Sequence, residues 1–135
     1  MAEPKTRPTD VPVADFIAAV GSPGRRADAE TVQALFAVIA GEEPVMWGPS
    51  IVGYGSYRAA SGDWPIIGFS PRKDQLVLYL MDRLPDRAER VARLGKVTTK
   101  GGCLYVTKLA DVDMAELHDL ATRSVAWMRE HHPIA

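Results

Sequence analysis

Apolar residues recur along the chain first at helical spacing, then at strand spacing, then at helical spacing again. Val13, Phe16, Ile17 and Val20 fall at i, i+3, i+4 and i+7, which gathers them on one face of a short helix. Thr9 or Asp10 offers a cap, and Pro12 suits the first turn because the N–H it lacks has no partner there anyway. Ser22-Pro23 repeats the cap-and-proline start, Val32, Leu35, Phe36 and Ile39 repeat the spacing, and Gly41 ends a second helix. After Pro44 the period changes. Segments 51–58, 64–69 and 75–81 are rich in β-branched and aromatic residues, and the stretches between them, 59–63 and 70–74, carry turn chemistry. They predict a three-stranded antiparallel meander.

The third of these strands, Leu76-Val77-Leu78-Tyr79-Leu80-Met81, is apolar on both faces, so it belongs in the middle of the sheet with cover on each side. A third helix is expected over 85–94, started by Pro85 and stopped by Gly95. A fourth strand follows Gly101-Gly102 over 103–107. A capping box at Asp113 and Glu116 opens a last helix that runs to about His131. Strands clustered between helices, without regular alternation, argue for an α+β fold. The expected architecture has two N-terminal helices, a curved and mostly antiparallel sheet of four to five strands, one intervening helix, and a C-terminal helix packed on the sheet. A chain of 135 residues makes one domain. It is expected over 11–135, with residues 1–10 as a loose, polar, proline-rich leader.

Composition narrows the function classes without choosing one. With 47% apolar and 24% charged residues and a net charge of −1, the chain reads as an ordinary globular domain. No apolar run approaches the roughly 20 residues that cross a bilayer, so no membrane partner is expected. The single cysteine, Cys103, excludes an internal disulfide and every multi-cysteine zinc pattern, and a cytoplasmic location follows as the expectation. The protein is expected to be a monomer or a homodimer. Between residues 72 and 108 nine basic residues face four acidic ones. Asp82, Asp86 and Glu89 interrupt the arginines at 83, 87, 90 and 93, so the run reads as a solvated helix face and no nucleic-acid partner is expected.

The candidate chemistry starts at Met46-Trp47-Gly48-Pro49-Ser50-Ile51-Val52-Gly53-Tyr54-Gly55-Ser56-Tyr57. Gly53 and Gly55 share one face of a strand, where missing side chains let another group come close or let the strand bend. One reading is a structural corner anchored by Trp47. The other is a shallow pocket walled by Trp47, Tyr54, Tyr57 and Trp64, with Arg72, Lys73, Lys96 and Lys100 supplying positive charge, which would take a small anionic or aromatic ligand or a protein segment. Thr98-Thr99-Lys100-Gly101-Gly102 lacks the spacing of a phosphate-binding loop. Asp113, Glu116, Asp119 and His118 on the last helix form the nearest metal-ligand group, although acidic residues in a first turn also serve the helix dipole. Cys103 opens an apolar strand and has no histidine or carboxylate paired with it in sequence, so no enzymatic activity is expected.

The run Val45-Met46-Trp47-Gly48-Pro49, Gly53-Tyr54-Gly55, Phe69-Ser70-Pro71-Arg72-Lys73, Leu76-Val77-Leu78-Tyr79-Leu80, Leu94-Gly95-Lys96, Gly102-Cys103-Leu104-Tyr105-Val106 and Leu109-Ala110-Asp111-Val112-Asp113 resembles the YdhG-like family of domains of unknown function. The resemblance runs from about residue 14 to 127. It implies an α+β domain with Trp47, Gly48, Tyr54, Lys73, Tyr79, Lys96, Cys103 and Tyr105 as signature positions. One branch of that family is described as frataxin-like, which implies an intracellular iron chaperone as the alternative function, with iron held by carboxylates and delivered to a partner protein. An interaction module without a small ligand is the remaining alternative.

Overall fold

The computed structural model describes residues 8–59, 62–80, 84–100 and 103–132. Two helices open it, α1 (Val13–Ala18) and α2 (Pro23–Ala40). The Ser22 hydroxyl accepts from the Arg25 N–H at 3.3 Å and caps α2, and Gly41, at φ 66°, closes it in the left-handed conformation that glycine adopts without strain. The start of α1 differs from expectation. Pro12 itself holds the cap position, and the Thr9 hydroxyl instead accepts from the Val11 N–H at 3.3 Å.

Among the described residues eight strands follow: β1 (Pro44–Trp47), β2 (Ile51–Tyr54), β3 (Tyr57–Ala59), β4 (Gly62–Trp64), β5 (Ile67–Pro71), β6 (Leu76–Tyr79), β7 (Thr98–Lys100) and β8 (Cys103–Val106). Helix α3 (Arg87–Ala92) lies between β6 and β7, and α4 (Met114–His131) ends the described chain. Six strands form one antiparallel sheet in the order β1-β2-β5-β6-β8-β7, and β3 pairs with β4 as a separate hairpin. The class is α+β, as the pattern of elements predicts, but the sheet has one strand more than the four to five expected.

The predicted strands 51–58 and 64–69 each break in two, for one local reason apiece. Gly55 turns to φ 65°, and Pro65 cannot donate to a ladder, so the outer hairpin β3–β4 departs from the sheet while β2 and β5 continue to pair. The Ile66 N–H still reaches the Tyr54 carbonyl at 3.1 Å across that break. Strands β1 and β7 are additions: the first is four residues long and begins at a proline, and the second is polar and exposed along its length. Pro8 and Thr9, placed in the leader by the sequence, attach to β1 through a bridge to Trp47 and a 2.8 Å bond from the Thr9 N–H to the Met46 carbonyl. The rest of the leader, Met81 and Arg83, the Ala60-Ser61 turn and Gly101-Gly102 lie outside the described residues.

β6 is central, between β5 and β8, and Leu76, Val77 and Leu78 are buried. Register sorts its neighbours onto two faces. Met46, Val52, Phe69, Leu78 and Leu104 stand in one row across five strands and join the core under α2 and α4. The opposite row reads Val45, Gly53, Gly68, Tyr79, Cys103 and Lys100. Apart from Tyr54, which faces the core, the functional candidates on the sheet strands belong to this second face.

Candidate functional site

Gly53 explains the corner. A Cβ built there would stand 2.5 Å from Trp47 Cδ1 and 2.7 Å from Pro65 Cβ, so the indole and the proline ring meet over the bare backbone. Trp47 is consequently 2% exposed although it lies away from the helices. Gly68, next in the same row, would put a Cβ 2.7 Å from the Val52 carbonyl, which makes it a site of close strand approach. Gly53 and Gly68 serve packing, whereas Gly55, expected on the same strand face as Gly53, lies past the end of β2 and turns the chain at φ 65°.

Beside this corner, where the β3–β4 hairpin leaves the sheet, a cavity of about 190 Å³ opens between Ile51, Tyr57, Trp64, Pro65, Ile66, Tyr79, Leu80 and Met128. Tyr57 and Trp64 face each other across the hairpin. The Tyr57 ring also touches His132 at the end of α4, centroid to centroid 4.8 Å, and the Trp127 ring stacks on His131 at 3.8 Å nearby in sequence. Tyr79 joins the wall from β6, and its hydroxyl accepts a 2.6 Å bond from Arg72 Nη2. Burial pushes the Tyr79 hydroxyl above the ordinary phenol range, with the Arg72 charge and hydrogen bond working against that rise. An apolar hollow with one fixed guanidinium beside it can take a flat, mostly apolar group and orient a negative one.

The predicted ligand-binding residues therefore divide. Tyr57 and Trp64 line the cavity; Arg72 does not, but bonds the hydroxyl of Tyr79, which does; and Lys100 lies on the same face beside Cys103. Trp47 is spent on Gly53. Tyr54 points to the opposite side, fully buried, edge-on to Phe36 at 6.2 Å, its hydroxyl donating to the Gln33 carbonyl at 2.8 Å, and burial pushes that hydroxyl well above the usual phenol range. The reason is parity: residues 53 and 54 face opposite sides of one strand. Lys73 is exposed near the start of α2, with Val20, Ser22 and Arg25. Lys96 is exposed after α3, where its N–H bonds the Asp111 carbonyl at 3.2 Å. Neither lines the cavity.

Sequence reasoning from residues alone missed Tyr79, Ile51, Pro65, Ile66, Leu80 and Met128 as wall residues. One signal was available for Tyr79, the single amphipathic side chain in an aliphatic strand. Met128 carries none, because inward positions of α4 read alike whether they meet core or cavity.

The acidic group resolves into local duties. The Asp113 carboxylate caps α4, accepting from the Ala115 and Glu116 N–H groups at 3.0 and 3.1 Å. Glu116 lies 3.9 Å from Arg93, Asp119 bonds both Arg90 and Arg123, and His118 is exposed. Among the described residues no three His, Cys, Asp or Glu side chains gather as a metal-binding group. Cys103 is half-buried in the row with Tyr79. Burial raises its thiol pKa, and the Tyr105 hydroxyl, Arg72 and Arg87 draw it back down.

Among the described residues no helix is long and apolar enough to cross a membrane. Compared with family models, curated proteins and solved structures, the chain matches none.

Proposed function

We propose that this protein is a binding module for a small ligand, a single aromatic ring bearing one acidic group, held in the cavity between the β3–β4 hairpin, β6 and α4. The convergence of Tyr57, Trp64 and Tyr79 on one hollow, with Arg72 fixed at the Tyr79 hydroxyl, carries this reading. Size supports the choice of ligand. An apolar cavity of about 150 Å³ holds benzene, so the hollow here, about 190 Å³, suits one ring with a small substituent better than a fused pair. The rings offer edge and face contacts to an aromatic guest, and the guanidinium meets its carboxylate. No step of bond making is assigned; burial raises the pKa of the one thiol on this face.

Isothermal titration with benzoate, 2-naphthoate and acetate tests the reading. Benzoate is expected to saturate one site, 2-naphthoate to bind more weakly, and acetate not to bind. Trp64→Ala should weaken benzoate at least tenfold and Arg72→Gln several-fold, with unfolding temperatures followed to show that the hairpin persists. Absence of saturable benzoate binding, or an affinity indifferent to Trp64→Ala, contradicts the proposal and returns the hollow to a packing defect or a contact for a protein segment.

A further inference from the structure

Beyond the cavity, the second face of the sheet is cationic where the cavity is apolar. We propose that it holds a second site, in which a phosphate-type oxyanion sits between the guanidinium groups of Arg72 and Arg87, with Lys100 and the hydroxyls of Tyr79 and Tyr105 around it. The starting observation is Arg87, at the beginning of α3: its Nε and Nη2 are both out of water and neither has a hydrogen-bond partner. Unpaired buried donors are costly, the more so when charged, so such a fork calls for an acceptor that the described residues do not provide. Ser70 repeats the pattern. It is fully buried, stands on the same face two residues before Arg72, and its hydroxyl also lacks a partner.

Register supplies the surroundings. Tyr79, Cys103 and Lys100 stand side by side across β6, β8 and β7, and Tyr105 occupies the next row beside Val77. Arg72 reaches this group through its bond to Tyr79. Both guanidinium groups lie close enough to the Cys103 sulfur for their charges to act on it. Strands β5, β6, β7 and β8 contain no Asp or Glu, so the sheet itself offers no carboxylate to the two arginines and the lysine. Two forks and an ammonium suit a dianion with several acceptor oxygens better than a single carboxylate. Arg72 serves both readings, but Arg87 does not line the aromatic cavity, so substitution of Arg87 tests this site apart from the benzoate reading.

Cys103, the one cysteine of the chain, reports on its own site. An anion bound between the arginines cancels the charge that favours the thiolate and covers the sulfur, so both effects slow alkylation. Iodoacetamide labelling at pH 8 is expected to slow several-fold and saturably with inorganic phosphate, beyond sodium chloride of equal ionic strength. Arg87→Gln should abolish the phosphate dependence. Arg87→Lys, which keeps the charge and loses the fork, should weaken it, and on the unmodified chain phosphate should shift the Arg87 Nε–Hε resonance. Phenyl phosphate separates the free ion from an ester: a stronger response that Trp64→Ala reduces marks an ester with its ring in the cavity, and an equal response marks the ion alone. Slowing that follows ionic strength only, or a full phosphate response in folded Arg87→Gln, or an unmoved Arg87 resonance, overturns the proposal.

Discussion

The two faces of one sheet have opposite characters although the same strands build both. Toward α2 and α4, Met46, Val52, Phe69, Leu78 and Leu104 form an unbroken row of buried apolar side chains. On the other side the matching row is two glycines, a tyrosine, a cysteine and a lysine, with Trp47 folded down over the first glycine. The covered face carries the stability through area removed from water. The second face buries Trp47, Ser70 and Val77 but gives up side-chain area at Gly53 and Gly68 and gains a hollow and a set of cations. Alternation along a strand lets one sequence do both, because each residue on the core side leaves its neighbours free for the other.

The largest test of that contrast is truncation. Phe69→Ala on the covered face is expected to cost about 4 kcal/mol, enough to threaten the fold, whereas Tyr105→Ala on the open face should cost about 1 kcal/mol or less, both read from denaturant unfolding. Equal losses would erase the distinction. Next comes added bulk. Gly53→Ala pushes a methyl into the Trp47 and Pro65 rings and should destabilise by roughly 1–3 kcal/mol. At Gly21 an added Cβ meets nothing within 4 Å, and Gly21→Ala should be neutral or stabilising by a few tenths to about 1 kcal/mol.

The smallest effect is on the pH dependence. Tyr54, Tyr79 and Cys103 all have pKa values raised by burial, so the native state keeps protons that the unfolded chain releases near the ordinary values of 10.0 for tyrosine and 9.0 for cysteine. The unfolded state then binds fewer protons, and stability falls as pH rises. Their contribution is therefore complete at neutral pH and is lost progressively above about pH 9, in the order that the unfolded groups ionise. Tyr54→Phe and Cys103→Ser should each flatten the decline, Tyr54→Phe more, while losing about 1 kcal/mol at neutral pH with its hydrogen bond to Gln33. A stability profile flat from pH 8 to 11 contradicts these raised values.

Much of this fold was legible because period and caps are local properties. The four helices, the central position of Leu76-Val77-Leu78-Tyr79 and the turns around them all follow from spacing read within a few residues. The hairpin β3–β4 was not, because a run such as 51–58 keeps strand composition straight through the Gly55 bend. The site was legible only in part for the same reason. Trp47, Tyr54, Tyr57 and Trp64 are neighbours in sequence, yet parity sends Tyr54 to the core and the bend carries Tyr57 and Trp64 away to a place where Tyr79 and Met128 wait. Arg87 carried no sequence signal at all, since an arginine in an arginine-rich helix reads as solvated until its surroundings are known.

The most direct test of the central claim is a methyl NMR titration with benzoate. Met128 and the isoleucines Ile51 and Ile66 report on the cavity walls, and Ile17 and Leu117 report on the helix side of the sheet. The account predicts saturable shifts at Met128, Ile51 and Ile66 with one common affinity, and none at Ile17 or Leu117. Shifts centred on the helix-side core, or no saturable shift at Met128, would contradict it.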